Sequence, residues 1–312
     1  MTSIEEQHLH ERLGAGFFQK RLECQAGKRA KLQHQGEGVF RLERLVPFDA
    51  LLGRVFGMLG IRESLRRRFL DVQVVRQEWR LRWLPTAFDG FRVLQLSDLH
   101  CDLDVELTPI IETLVRLTPH DAAVLTGDFR NGMDGDHGPC LHEIARICSA
   151  LAPTRFAILG NHDFLEMVPE LEKMGLPTLL NESAALDRDG ARIWFSGIDD
   201  PHFYKTHDLA KARTGIPLTE CAILLSHSPE TFAEAADAGF QLLLSGHTHG
   251  GQICLPGGYP IVVPCRVPRQ FISGRWAYSA LQGYTSRGTG GCGIAARWNC
   301  PPEITLHILR TA

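Results

Sequence analysis

From about residue 75 onward, two hydrophobic periods alternate along the chain. Val75, Trp79, Leu81 and Trp83 interleave with Arg76, Glu78, Arg80 and Arg82, the two-residue period of a strand with one wet face. Short β-rich runs follow at Phe91–Leu96, Ala122–Thr126, Phe156–Leu159, Arg192–Phe195, Ala222–Leu225 and Gln241–Leu244. Several are apolar throughout, as strands buried on both faces must be. Between them, Val105–Leu117, Cys140–Leu151, Leu165–Met174 and Glu230–Ala238 have the spacing of amphipathic helices. This alternation predicts an α/β architecture. Beyond Gly250, short strands broken by Gly and Pro run to a last strand at Glu303–Leu309, predicting an antiparallel portion or a second sheet.

Upstream, Phe48, Leu51, Leu52, Val55, Phe56 and Leu59 recur at helical spacing within Leu45–Ile61, and Arg62, Arg66, Arg67 and Arg68 follow. The pattern predicts an amphipathic helix with a basic end, which has two uses: packing on protein, or lying on an anionic membrane surface through residues 45–70. Asp49 and Arg54 would each cost about 2.5–3.5 kcal/mol near the middle of a bilayer, so it does not read as a span. Arg66-Arg67-Arg68-Phe69-Leu70 looks like a twin-arginine signal, but no hydrophobic region follows it. The expected organisation is an N-terminal extension over 1–71 and a folded domain over 72–312.

The chain has 312 residues with 33 basic and 36 acidic side chains, a balance that gives no footprint for general nucleic-acid binding. Nine cysteines without a CxxC pair indicate neither a disulfide framework nor a thiolate zinc site, and most read as small buried residues. The first thirteen residues contain Glu5, Glu6 and Glu11 and no apolar stretch, unlike a secretory leader. A cytoplasmic protein is expected, peripheral on the inner face of the membrane if the basic helix docks there.

Polar clusters follow five of the predicted strands: Asp98-Leu99-His100, Gly127-Asp128-Phe129-Arg130-Asn131, Gly160-Asn161-His162-Asp163, Ser226-His227 and Gly246-His247-Thr248-His249. In open α/β sheets, ligands bind beyond the carboxyl ends of strands, so these clusters are expected to converge. If the chain stays extended, Asp98 with His100, and His247 with His249, each present two donors to one side. Glycines 127, 160 and 246 allow tight turns and close approach. A lone buried histidine is usually a hydrogen-bonded core residue, but five such clusters together are costly unless used. Imidazole and carboxylate donors suit zinc, manganese or iron, and their number exceeds the needs of one ion.

The ordered set DxH, GDxx(D/N), GNH(D/E), H and GHxH resembles the calcineurin-like metallophosphoesterases over about Phe91 to Arg310. Gly246–Gln252, Tyr284–Gly288 and the Asn299–Glu303 stretch look like the bacterial YkuE/YaeI-type phosphodiesterase branch. The resemblance implies a four-layer α/β/β/α sandwich and two divalent metal ions. Asp98, His100 and His249 would hold one ion, Asn161, His227 and His247 the other, with Asp128 bridging. His162 would face the leaving-group oxygen as general acid or electrostatic stabiliser, with Asp163 as its orienting carboxylate and Asn131 supporting Asn161 or a ligand. Two ions against two carboxylates leave a surplus near +2, which draws phosphate oxygens, and water made acidic between the ions would attack phosphorus in line.

The expected activity is that of a phosphodiesterase or pyrophosphatase, with a lipid-linked substrate such as UDP-2,3-diacylglucosamine among the possibilities. Substrate choice falls to loops: Asp199–Tyr204 with His202, Arg130, and Arg287 reaching a second phosphate. The alternatives are a phosphomonoesterase or protein phosphatase, and a non-catalytic metal-binding scaffold. Asn131 and Asp163 depart from the GDxxDRG and GNHE of the protein phosphatases, and the complete ligand set argues against the scaffold.

Overall fold

The computed structural model describes residues 2–30, 56–58, 60–132 and 135–312. Eight α-helices are described: α1 Ser3–Leu13, α2 Ala15–Ala30, α3 Arg62–Leu70, α4 Leu107–Leu117, α5 Gly138–Ala150, α6 Val168–Lys173, α7 Leu209–Arg213 and α8 Phe232–Asp237. The strands are β1 Gln73–Leu81, β2 Arg92–Leu96, β3 Ala122–Leu125, β4 Arg155–Ala157, β5 Glu182–Arg188, β6 Ala191–Gly197, β7 Ala222–Leu225, β8 Leu242–Ser245, β9 Cys254–Leu255, β10 Tyr259–Pro260, β11 Gly274–Tyr278, β12 Leu281–Thr285 and β13 Glu303–Thr311.

Two sheets result, ordered β1-β13-β2-β3-β4 and β11-β12-β8-β7-β6-β5, with β9 and β10 as a separate hairpin. The apolar strands alternate their side chains between two cores, because successive residues point to opposite faces. In the first sheet, Val93, Ala122 and Val124 face the second sheet, where they meet Ile223, Leu225, Leu242 and Leu244. Leu94, Leu96, Ala123 and Leu125 point the other way, onto Ile111 and Val115 of α4 and Ile144 and Ile147 of α5. The outer face of the second sheet, Ala222, Leu224 and Leu243, packs on Leu209 and Ala212 of α7 and Ala235 of α8. These are the four layers α/β/β/α.

The change of pattern after Gly250 divides between the sheets. β11 and β12 form an antiparallel hairpin on the edge of the second sheet, whereas β13 enters the first, antiparallel to β2 and parallel to β1. Strand β5 was not expected from its sequence. It pairs with β6 through Asp189-Gly190, both at positive φ (+51° and +77°), the primed turn that Asp-Gly favours between strands.

Most of the expected amphipathic helix at Leu45–Ile61 lies outside the described residues; of it, Phe56–Met58 form one helical turn. The arginines that follow sit in α3, which buries Leu65 and Phe69, while Arg66 bonds both carboxylate oxygens of Asp104 at 2.7 and 2.9 Å. Helices α1 and α2 were not expected either. Thr2 and Glu5 form a reciprocal capping box at the start of α1, and Leu9, Leu13 and Phe18 join the core that α4 and α5 build on the first sheet. Among the described residues, no helix is long and apolar enough to cross a membrane.

Candidate metal centre

All five clusters leave the ends of strands, β2, β3 and β4 of the first sheet and β7 and β8 of the second, and their side chains converge. The extended geometry expected for Asp98/His100 and His247/His249 does not occur. Asp98, His100, Asp128, His247 and His249 all have left-handed backbones, with φ of +51°, +42°, +55°, +69° and +50°. Such conformations cost about 1–3 kcal/mol each away from glycine and collect at functional sites. Here they turn successive side chains inward within two to four residues of the strand. Gly127 (φ +87°) makes the same kind of turn, and a Cβ there would lie 2.5 Å from Gly160 N and 2.9 Å from His227 Nδ1. At Gly246, a Cβ would overlap Ser97 Oγ and Asp98 Oδ2.

Two donor groups form around one carboxylate. In the first, His100 Nε2 is 3.3 Å from His249 Nε2, and Asp98 Oδ1 is 3.4 Å from His249 Nε2. In the second, His227 Nε2 is 3.1 Å from Asn161 Oδ1 and 3.3 Å from Asp128 Oδ2, with His247 completing a cluster with Asp128 and His227. Asp128 Oδ2 also lies 3.8 Å from His100 Nε2, so it stands between the groups.

The imidazoles are oriented by backbone carbonyls. His100 Nδ1 donates to Arg130 O, and His227 Nδ1 to Thr126 O, each at 2.8 Å. With each ring neutral, as a metal ligand must be, this leaves a lone pair at Nε2 pointed at other acceptors. Acceptors gathered in this way repel one another unless a cation sits among them. Three observations fit a metal there. His247 Nε2 is buried without a hydrogen-bond partner. Burial, reinforced by neighbouring positive groups, holds His247 and His249 well below the usual histidine range, keeping them neutral. Burial also opposes charge on His227, yet the carboxylates of Asp128, Asp98 and Asp200 carry its pKa up to about 10, so positive charge is favoured at that spot.

His162 lies beside the centre rather than within either group. Its Nδ1 donates to Asn131 O at 2.8 Å, and its Nε2 is 4.0 Å from Asp128 Oδ2. Asp163, expected to orient this imidazole, does something else. Its carboxylate is fully buried and accepts backbone N–H bonds from Gly160 (2.8 Å), Asp128 (2.8 Å) and Phe129 (2.9 Å), stapling two motif loops together. The orienting role belongs to the Asn131 carbonyl, and the Asn131 side chain accepts from Gly293 N at 2.8 Å.

The loop candidates divide. Arg287 is ion-paired with Glu303, so its guanidinium is committed within the fold. Arg130 is buried, with its guanidinium over the Phe164 ring. Asp200 caps the backbone of Phe203 and Tyr204, and Asp199 accepts from Thr206 Oγ1. His202 does reach the site: its ring lies 4.3 Å from that of His247, and its Nδ1 is 2.7 Å from Glu230 Oε2.

Three further residues escaped the sequence reading. Arg297 is fully buried and donates to the carbonyls of His249, Gly288 and Gly290. Arg21, from α2, reaches behind the site to donate to Asp163 O at 3.1 Å. Cys292 is partly exposed and clusters with His100 and His249. The order of motifs gives no signal for any of them, since all three approach from distant segments.

The calcineurin-like phosphoesterase model matches residues 91–251, the span from β2 to just beyond His249. The chain belongs to the calcineurin-like phosphoesterase family. Over 244 residues it is 30% identical to the metallophosphoesterase YkuE of Bacillus subtilis (strain 168), covering 73% of this chain and 82% of the relative. It is 26% identical over 226 residues to phosphodiesterase YaeI of Escherichia coli (strain K12), covering 69% and 81%. It is 28% identical over 241 residues to the UDP-2,3-diacylglucosamine pyrophosphatase LpxG of Chlamydia trachomatis serovar D, covering 59% and 71%. This phosphoesterase is therefore a phosphoric ester hydrolase of the bacterial YkuE/YaeI branch, with residues able to bind metal at the ends of its strands.

Proposed function

We propose that this enzyme uses two divalent ions to hydrolyse a phosphodiester or a pyrophosphate. Asp98, His100 and His249 hold one ion, Asn161, His227 and His247 the other, and Asp128 is shared. The observation that carries this reading is the position of Asp128 Oδ2, 3.3 Å from His227 Nε2 and 3.8 Å from His100 Nε2. When bound, the ions supply Lewis acidity, neutralising phosphoryl oxygens and acidifying water for attack on phosphorus. Ligand chemistry admits manganese, iron or zinc.

The chain's own residues do the rest. Asp98 and Asp128 contribute two negative charges, too few to cancel two divalent ions, so the site retains attraction for an anionic substrate. The Nδ1 hydrogen bond to Asn131 O fixes the His162 ring with Nε2 towards the centre, where it passes a proton to the leaving-group oxygen. Asp163 keeps the Asp128 and Gly160 backbones in register. Residues 72–312 make up the catalytic domain and 1–71 an extension. Similarity to LpxG supports a second, finer reading, a lipid-linked pyrophosphate such as UDP-2,3-diacylglucosamine.

A metal-reconstituted panel of bis(p-nitrophenyl) phosphate, p-nitrophenyl phosphate and UDP-2,3-diacylglucosamine tests the substrate class. Diester or pyrophosphate cleavage should exceed monoester cleavage, and the reverse ranking would refute the reading. Asp128→Asn and His249→Ala should lose metal and turnover together. His162→Asn should keep its metal and lose about 10²–10⁴ in turnover. Equal metal loss in all three variants would contradict the role given to His162.

A further inference from the structure

The loop between β12 and β13 brings a sulfur to the metal centre. Cys292 Sγ is 3.7 Å from His162 Nε2, and the ligand atoms of His100, His249 and Cys292 all lie within 4.8 Å of one another. The loop is held on both sides of the thiol. Cys292 N donates to Gln252 Oε1 at 2.9 Å, and Gln252 Nε2 donates back to the carbonyls of Cys292 and Ile294 at 3.1 Å each. Gly293 N donates to Asn131 Oδ1 at 2.8 Å. On the other flank, Arg297 ties Gly288 and Gly290 to the His249 carbonyl. Each tether is itself part of the site's frame: Asn131 orients His162, Gln252 follows His249 by three residues, and Arg297 bonds His249.

The neighbouring donors have the spacing of a shared ion. Ligand atoms that share one ion at bonds of about 2.1 Å sit about 3.0–3.4 Å apart, the shorter spacing belonging to the higher coordination numbers. The His100–His249 and His249–Asp98 separations are 3.3 and 3.4 Å. The same centre holds the unpartnered, buried Nε2 of His247, so the demand for a cation does not depend on the thiol.

Resting on the metal reading above, we propose that Cys292 is a further ligand to the ion held by Asp98, His100 and His249. As the sulfur–metal bond forms, the S–H bond breaks and its proton leaves to solvent. A soft sulfur donor among imidazoles favours zinc or iron(II) over manganese at that position. Cys292 is thereby a selector of the metal as well as a neighbour of the general acid.

Cobalt(II) is the probe. The full-length protein is loaded with cobalt, and its bound cobalt and near-ultraviolet thiolate-to-cobalt absorption are measured in the same samples, alongside Cys292→Ser and Cys292→Ala. The expected result is a charge-transfer band in the parent that both variants lose while retaining cobalt. Zinc affinity should fall by about tenfold or more in the variants, a loss seen even for outer partners of metal ligands, and manganese affinity should fall less, because the soft sulfur favours zinc. Bound cobalt without the band in the parent, or a band that survives both substitutions, overturns the proposal and leaves the dinuclear reading standing. A parent that binds no cobalt, zinc or manganese overturns both. If either variant fails to fold, the parent spectrum and the other variant still decide.

Discussion

A buried chain of polar side chains between the sheets makes stability depend on pH through one histidine. Trp79 Nε1 donates to His307 Nδ1 at 2.9 Å, His307 Nε2 donates to Gln95 Oε1 at 3.0 Å, and Gln95 Nε2 donates to Thr126 Oγ1 and Ser245 O at 3.0 Å each. Because the Trp79 indole can only donate, Nδ1 of His307 must accept and the ring must be neutral. Burial drives its pKa from 6.5 to about 3. The sign follows from proton uptake. Between pH 6.5 and 3 the unfolded chain binds a proton at His307 that the folded chain refuses, so stability is complete above the unfolded pKa and falls as pH drops. From pH 6.5 to 4.5 the loss is about 2 kcal/mol, or about 5–9 °C in Tm for a domain of this size. Other groups titrate over the same range, so the assay is a difference. His307→Gln keeps one acceptor and one donor but does not titrate. Thermal unfolding of both proteins with chelator, at pH 7.5, 6.5, 5.5 and 4.5, should show the parent losing about 5–9 °C more than the variant. Parallel curves for the two proteins would refute the assignment of this slope to His307.

Three other perturbations test the frame of the site. Arg21→Met removes the cation stacked over Tyr204 and leaves the Asp199 carboxylate buried with its ion-pair partner gone, so urea unfolding should show a loss of about 3–5 kcal/mol; a loss under about 1 kcal/mol would contradict it. Gly246→Ala forces a methyl group onto Ser97 Oγ and Asp98 Oδ2, and bound metal and turnover should fall together; unchanged metal content would show that the loop yields without cost. Chelation should lower Tm reversibly, because each ion at 100 times its Kd stabilises the fold by about 2.7 kcal/mol; an unchanged Tm would mean that the two donor groups hold no ion.

The layers were legible where burial leaves a strong imprint. Strands such as Ala122–Leu125 and Leu242–Ser245 are covered on both faces, and their unbroken apolar runs gave them away. β5 was not legible in the same way, because it is a sheet edge with mostly half-exposed residues; only the Asp189-Gly190 turn marked it. The N-terminal helices were missed because their apolar residues are few, although the Thr2 and Glu5 capping pair stood in plain view.

At the site, residue identity was legible and orientation was not. An imidazole can be recognised by its letter, but which nitrogen faces the centre is set by a partner that has no letter of its own. Thr126, Arg130 and Asn131 orient His227, His100 and His162 through their backbone carbonyls, which any residue in those places would supply. All three carbonyls belong to the loop that leaves β3, so one short segment contributes Asp128 and also fixes three rings drawn from β2, β4 and β7. The left-handed turns at Asp98, His100, Asp128, His247 and His249 are held in the same economical manner: Asp163 binds the Asp128 backbone, and Asp98 accepts from His247 N at 3.0 Å. Because these bonds lie within the protein, the donors are positioned before any ion arrives, and binding energy is not spent on ordering loops. Asp163 was misassigned for this reason. Its neighbour in sequence is His162, but an acidic side chain surrounded by bare N–H groups is drawn to them, and the imidazole is left to a carbonyl.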